Sequence, residues 1–137
     1  MTVCLENCTY SSGYSIFTSS GLFIVPCGVQ QVRALAVGGG SGGMNSDGGG
    51  GGSGYVRSGV FTVTPLQWIP ITVGTGGPGS STIFGCSYAF SQNSQAGGTS
   101  SFGTYLSAAG GEGYSGNSDK ALSGGSGGGA GNGCTSG

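Results

Sequence analysis

Residues 38–54 of the chain read GGGSGGMNSDGGGGGSG, and they directly follow the apolar run VRALAV at residues 32–37. Eleven of these seventeen residues are glycine, which loses more conformational entropy on ordering than any other residue. Such a segment is either never ordered, or it is ordered because backbones must approach more closely than a Cβ atom would allow. The choice between these two states decides the fold.

The composition is far from that of an average globular protein. Glycine contributes 35 of 137 residues, 5% of residues are charged, and the formal net charge is -1. Glycine and serine at this level usually indicate disorder. The segments between the glycine tracts, however, are rich in the Val, Ile, Phe and Tyr that disordered chains lack. The sequence therefore favours an ordered β domain, and a disordered, condensate-type chain is the alternative.

Short apolar segments with a two-residue alternation predict strands throughout the chain. In the longest of them, Val32, Ala34 and Ala36 share one face, and these small residues suggest close packing beneath it. Pro70 indicates an edge strand or a bulge in its own segment. No window has helical periodicity, so the fold class is all-β. Strands are predicted at residues 14–18, 22–25, 29–37, 55–63, 68–73 and 82–84, and two more within 99–109, with a loop at 92–95.

The domain organisation follows from the cysteines and the glycine tracts. Residues 1–13 form a cysteine-containing leader for assembly or linkage, and residues 14–137 form a single glycine-rich β domain. The glycine tracts of this domain lie at residues 38–54, 74–79, 110–116 and 124–133.

The glycine tracts predict a packed bundle. Glycine in an extended helix with three residues per turn points its N–H and C=O groups outward, so several such segments can bond laterally. We therefore expect a β-sandwich whose glycine loops gather at one end as polyglycine II-type helices. We also expect valine at Gly50 to disrupt the bundle. The glycines expected to form it are Gly38, Gly39, Gly40, Gly49, Gly50, Gly51, Gly127 and Gly128.

The sequence indicates no catalytic, cofactor or metal site. Histidine is absent, and the four carboxylates show no pattern that would place a pair. Residues 38–43 match the dinucleotide-binding expression G-x-G-x-x-G, but the motif must open a helix, and more glycines follow here instead. We therefore expect a protein that is not an enzyme and uses no cofactor.

The sequence also argues against nucleic acid and membrane partners. Three basic residues cannot form a phosphate-backbone footprint. No apolar run approaches the roughly 20 residues of a membrane helix. The N-terminus has neither the basic nor the apolar region of a secretion signal.

Five cysteines are many for a chain of this size. Without histidine or a C-x-x-C pair, zinc binding and dithiol chemistry are poor explanations. We expect structural disulfides in an oxidising environment, and five small buried apolar side chains are the alternative. Asn7 also begins a formal N-glycosylation triplet. The disulfide candidates are Cys4, Cys8, Cys27, Cys86 and Cys134, the last being the natural candidate for a link between subunits.

Several segments together resemble a known family. They are FTSSG at residues 17–21, LFIVP at 22–26, the strand before Gly38, TVTP at 62–65, ITVGTGG at 71–77, GGTSSFG at 97–103 and AAGG at 108–111. This order resembles the glycine-rich domain of phage tail-fibre and tail-tip proteins and, more distantly, the extracellular glycine-rich module of the anaplastic lymphoma kinase receptor. The resemblance implies a jelly-roll-like (tumour-necrosis-factor-like) sandwich with polyglycine helices beside it. It also implies an attachment or structural role on a virion, cell surface or fibre.

The sequence supports two functions. The first is a non-enzymatic structural module on a virion surface or in an extracellular filament, with further copies and neighbouring structural proteins as its partners. Low charge leaves little repulsion to oppose self-association. The second is an adhesin that binds a cell-surface glycan or receptor through exposed tyrosines, because tyrosine gives contact area at low entropic cost. The tyrosines beside glycines or loops are Tyr55, Tyr88, Tyr105 and Tyr114.

Overall fold

The computed structural model describes residues 12–43, 49–80, 93–115 and 123–129. Within these residues every regular element is a β-strand and no helix occurs, which confirms the predicted all-β class. The strands are β1 (Gly21–Ile24), β2 (Gln31–Val37), β3 (Val56–Thr62), β4 (Trp68–Thr72), β5 (Asn93–Ser94), β6 (Ser100–Phe102), β7 (Leu106–Ala108) and β8 (Tyr114–Ser115).

All the strand pairs of the described residues are antiparallel. A four-stranded sheet has the order β1-β4-β6-β7, and two-stranded sheets are formed by β2 with β3 and by β5 with β8. The β2–β3 sheet packs on β6 and β7. Its inner face carries Val32, Ala34 and Ala36, and its outer face carries exposed side chains, as the alternation in the sequence predicts.

The hydrophobic core lies between these two sheets. Val25 and Ile69 are fully buried, and an aromatic cluster joins the layers. The ring of Phe61 on β3 lies 6.4 Å from Phe102 on β6. It lies 5.7 Å from the ring of Tyr105, in the β6–β7 turn. The Gln67 amide donates to the Tyr105 hydroxyl at 2.9 Å, so the polar tip of this core residue is satisfied.

Pro70 lies in the interior of the four-stranded sheet, so the predicted edge strand is wrong. On the β6 side Gly103 faces Pro70 and donates its N–H to the Pro70 carbonyl at 2.8 Å. β6 has already ended at Phe102, and Gly103 turns the chain away with a φ of 50°. Proline has no N–H to donate toward β6. At Pro70 the missing donor lies where β6 has already left the sheet, so the interior strand tolerates proline at this position.

Two other local predictions differ from the structure. Residues 14–18 are not a strand, and Tyr14 and Ile16 are exposed. Residues 93–94 were predicted as loop but pair with β8. The predicted strand at residues 82–84 lies outside the described residues. The two short strands around Gly103 are confirmed as β6 and β7.

The turn between β3 and β4 places a bulky residue in a strained conformation. Leu66 has a φ of 63°, and the Gln67 N–H donates to the Thr64 carbonyl at 3.1 Å across the turn. A positive φ at the third residue of a turn with proline at the second is typical of type II, where glycine is preferred. Leu66 does not recover this cost by burial, since its side chain is 56% exposed.

We therefore expect Leu66→Gly to stabilise the fold. A side-chain-bearing residue in the left-handed region costs about 1–2 kcal/mol. Glycine removes this cost, but it also raises the conformational entropy of the unfolded chain, which cancels part of the gain. The free energy of unfolding should rise by roughly 0.5–1 kcal/mol, measured by urea denaturation. Leu66→Ala is the control, because it removes the same side chain but keeps the strained φ, and it should give no gain.

Candidate functional site

Six glycine-rich segments outside the main sheets lie side by side. We call them tract I (residues 38–43), tract II (49–55), tract III (74–80), tract IV (95–98), tract V (109–113) and tract VI (123–129). The single block at 38–54 in the sequence thus becomes two segments, tracts I and II, which run in opposite directions and bond to each other.

Backbone hydrogen bonds connect these tracts in a regular network. Tract I bonds to tracts II, III, IV and V, and tract V bonds to tracts I, II, IV and VI. The remaining bonded neighbours are II with VI and III with IV. These pairs define two adjacent rows of three tracts, II-I-III and VI-V-IV, in a triangular arrangement. We call this arrangement the glycine lattice.

The hydrogen bonds repeat every three residues. In tract I the N–H groups of Gly39 and Gly42 both donate to tract IV, and those of Gly38 and Ser41 both donate to tract II. The same spacing occurs between tracts III and I, II and VI, and IV and III. The order of the bonded residues makes tract I antiparallel to tracts II and IV, and parallel to tract III.

Close approach, and not an unusual backbone angle, requires glycine in these tracts. Among the described glycines only Gly28 and Gly103 have positive φ, and neither belongs to a tract. A Cβ atom at Gly39 would instead occupy the position of the Thr75 carbonyl oxygen in the neighbouring tract. Backbone from adjacent tracts also fills the Cβ positions at Gly38, Gly42, Gly51, Gly54, Gly74, Gly77, Gly97, Gly110, Gly111, Gly124 and Gly128.

Serine side chains add bonds between the tracts. The Ser41 hydroxyl accepts the Gly52 N–H at 2.8 Å, which joins tracts I and II. The Ser53 hydroxyl accepts the Ser126 N–H at 2.7 Å, which joins tracts II and VI. Each hydroxyl satisfies a backbone donor of the neighbouring tract, so the lattice accommodates the short polar residues of its own sequence.

The lattice is continuous with the sheets. Gly38, the residue after β2, donates its N–H to the Tyr55 carbonyl at 2.9 Å, so the β2–β3 pairing continues into tracts I and II. The Tyr55 N–H donates to the Ala109 carbonyl, also at 2.9 Å, just after β7. The sheets therefore fix the adjoining ends of tracts I, II and V.

The structure places the predicted lattice glycines unequally. Gly38, Gly39, Gly51 and Gly128 have neighbouring backbone at the Cβ position. Gly49 is buried in tract II, and Gly127 is exposed in tract VI. Gly40 contacts its neighbour at an ordinary distance, with the Gly52 oxygen 3.4 Å from its Cβ position.

Gly50 is a weaker test position than the sequence suggests. It is exposed, and its Cβ position lies 3.4 Å from the Gly129 nitrogen, which is an ordinary contact. The residue next to it, Gly51, is the intolerant position, because the Ser41 carbonyl oxygen fills its Cβ site. Composition alone cannot separate two neighbouring glycines in this way.

The predicted tyrosines and cysteines are scattered. Tyr105 belongs to the core, whereas Tyr55 is 37% exposed at the start of β3, beside a groove that Arg57, Ser107 and Ala109 also line. Tyr114 is in β8, and its backbone pairs with Ser94. Cys27 is disulfide-bonded. Tyr88, Cys4, Cys8, Cys86, Cys134 and Asn7 lie outside the described residues.

Sequence reasoning missed tract IV. Residues 95–98 read QAGG and lie outside the predicted glycine tracts, although they bond to tracts I, III and V. The available signal was the pair Gly97-Gly98 shortly before β6, because glycines also lie next to β2, where they follow the strand. Residues 109–113 were similarly divided between a predicted strand and a tract.

The described residues show no other obvious chemical site. Among them, no cluster of three or more His, Cys, Asp or Glu side chains is placed to hold a metal ion. In the same part of the chain, no helix has the length and apolarity needed to cross a bilayer.

The fold and the lattice together define a glycine-rich all-β protein. The chain belongs to the glycine-rich domain family, whose model matches residues 18–137. No match to the chain was found among curated proteins or solved structures.

The lattice predicts opposite effects for neighbouring glycines. Gly128→Ala would place a methyl group on the Gly50 carbonyl, whereas nothing lies within 4 Å of the Cβ position at Gly129. We expect Gly128→Ala to lower the free energy of unfolding by about 1–3 kcal/mol. We expect Gly129→Ala to leave the free energy of unfolding unchanged or raise it by up to about 1 kcal/mol, because alanine lowers the conformational entropy of the unfolded chain.

Gly51→Ala and Gly50→Ala form a second matched pair in tract II. Gly51→Ala should be destabilising and Gly50→Ala tolerated. Denaturation midpoints of all four variants check the prediction. Equal effects within each pair would mean that the tracts are not packed as described.

Proposed function

We propose that this chain is a non-enzymatic structural module that self-associates on the surface of a virion, as a tail-fibre, tail-tip or decoration protein, or in an extracellular filament. The observation that carries the proposal is the glycine lattice, in which backbone bonds to backbone between six tracts. Such an interior offers stiffness and no side-chain chemistry. A rigid, chemically inert element suits attachment or assembly better than turnover.

The tracts are proposed to be polyglycine II-type helices beside a jelly-roll-type sandwich. The three-residue spacing of the hydrogen bonds supports the first part, because this helix has three residues per turn and points its polar groups outward to neighbours. The face-to-face packing of the antiparallel β2–β3 and four-stranded sheets supports the second. This is the architecture that the resemblance to phage tail proteins implies.

Self-association is supported by the surface of the sheets. Both have exposed apolar side chains on their outer faces, among them Leu35 at 68% and Trp68 at 69% exposure. With 5% charged residues in the chain, little repulsion opposes contact between copies. The expected partners are further copies of this chain and neighbouring structural proteins.

Assembly of the purified full-length chain tests the proposal. We expect concentration-dependent oligomers by sedimentation and ordered particles or filaments by electron microscopy. Slow amide exchange is expected at Gly39, Gly42 and Gly111, which donate within the lattice. A chain that stays monomeric and joins no particle, or lattice amides that exchange at coil rates, would contradict it.

The second candidate is a glycan- or receptor-binding adhesin, which the groove beside Tyr55 favours. An exposed tyrosine lies there next to Arg57 and Ser107, a combination that can stack on and hydrogen-bond to a polar ligand. A glycan array tests this candidate. Binding should be lost in Tyr55→Ala and kept in the control Tyr14→Ala, which changes an exposed tyrosine remote in sequence.

A further inference from the structure

Among the described residues, one hydrogen-bonding edge of β3 has no partner strand. The pairs Gln30–Val63 and Gly38–Tyr55 are hydrogen-bonded at the two ends of the β2–β3 ladder. Hydrogen-bonded and non-hydrogen-bonded pairs alternate in an antiparallel ladder. The polar groups of every second β3 residue therefore point away from β2. These residues are Val56, Ser58, Val60 and Thr62.

Nothing in the described ranges occupies that edge. From residues 12–43, 49–80, 93–115 and 123–129, only β2 pairs with β3. All four residues with outward-pointing polar groups are exposed. A groove lined by Tyr55, Arg57, Ser107 and Ala109 lies beside the start of the strand.

The edge lacks most of the features by which proteins usually block strand pairing. A free edge is normally interrupted by proline, a bulge, an inward charge or a very short strand. β3 is seven residues long and contains neither proline nor an acidic residue. Its one charged side chain, Arg57, shares the inner face with Gly59 and Phe61, but its backbone groups bond to β2, so the outward row of N–H and C=O groups is uninterrupted.

The strand is complementary to itself in one full-length register. When β3 is paired antiparallel with a second β3 about Gly59, all seven residues overlap, and Val56 and Ser58 face the partner's Thr62 and the partner's Val60. Gly59 then faces the partner's Gly59 in a non-hydrogen-bonded pair, with the Cα atoms about 4.5 Å apart. Glycine suits this close position, where Phe61 already covers the strand on the inner side.

The charges also fit this register. Arg57 faces the partner's Phe61, where a guanidinium and an aromatic ring attract each other. The two arginines are separated along the strand and do not face each other. In a register centred on Ser58 they would instead be diagonal neighbours, which like charges disfavour.

We propose that a second copy of this chain pairs with the free edge of β3, so that β2-β3-β3-β2 becomes one four-stranded sheet across a two-fold axis at Gly59. This inference rests on the proposed self-association and names the surface that carries it. The pairing satisfies the outward polar groups of Val56, Ser58, Val60 and Thr62 in both copies.

Proline at the edge is the first test. Ser58→Pro removes one outward N–H per subunit, and we expect the monomer to tolerate it because that N–H has no partner among the described residues. Leu35→Pro is the matched control, since the Leu35 N–H points from the opposite edge of the β2–β3 sheet, which also has no partner among the described residues. We expect Ser58→Pro to raise the dimer dissociation constant at least about tenfold in sedimentation equilibrium, and Leu35→Pro to leave it unchanged.

A charge exchange tests the register. Ser58→Lys and Val60→Glu should each weaken the dimer several-fold, because each places like charges on diagonal positions across the axis. The double variant should restore it, because residue 58 then faces the partner's residue 60 with opposite charge. In the Ser58-centred register residue 58 would face itself, and the double variant would not restore the dimer.

Amide exchange separates failure of this inference from failure of the proposed function. We expect protection at Ser58 and Val60 that grows with protein concentration, and none at Leu35. An oligomer in which Ser58 and Val60 exchange freely, or which Leu35→Pro disrupts, would overturn the β3 assignment and leave self-association standing. Protection of these amides only after another protein is added would overturn the second copy as partner. A chain that is monomeric at every concentration and joins no assembly would overturn both.

Discussion

The structure depends on the absence of a Cβ atom at the glycines where neighbouring tracts meet. At Gly39, Gly51 and Gly128 a carbonyl oxygen of a neighbouring tract lies where a side chain would begin. That approach allows backbone groups of separate segments to bond directly, with spacings near 2.9 Å. Each glycine costs conformational entropy on ordering, and lateral hydrogen bonds that exclude water and side chains offset this cost. A single tract would gain nothing, so the six tracts must order together.

The sheets make that ordering possible. Tyr55 connects the two parts, because its carbonyl accepts from Gly38 after β2 and its N–H donates to Ala109 after β7. The aromatic core formed by Phe61, Phe102 and Tyr105 holds these strands in place from the other side. Tracts I to V therefore each adjoin a strand whose position the core has already fixed. The hydrophobic effect orders the sandwich, and the sandwich reduces the entropy that the tracts must still lose.

The sequence carries much of the fold, but less of the site. The two-residue alternation in residues 31–37 and 56–62 predicts β2 and β3 correctly, because burial on one face repeats with the strand period. The sequence cannot predict that an interior strand tolerates Pro70, because this depends on where β6 ends in the tertiary structure. Tract IV was missed because four residues with two glycines carry no local signal. Gly51 excludes a side chain and Gly50 does not. This difference depends on the backbone of the neighbouring tract and cannot be read from the composition.

The three-residue repeat of the bonds has a consequence for how the molecule finds its alignment. A slip of one tract by three residues would recreate nearly the same set of bonds, so glycine backbone alone is almost indifferent to such a shift. The choice must come from features that do not repeat, namely the Ser41 hydroxyl on Gly52, the Ser53 hydroxyl on Ser126 and the strands to which the tracts are joined. Alignment of the polyglycine part is thus inherited from the β part. A chain with a damaged sandwich would be expected to gel or misalign its glycine segments even when none of them has been altered.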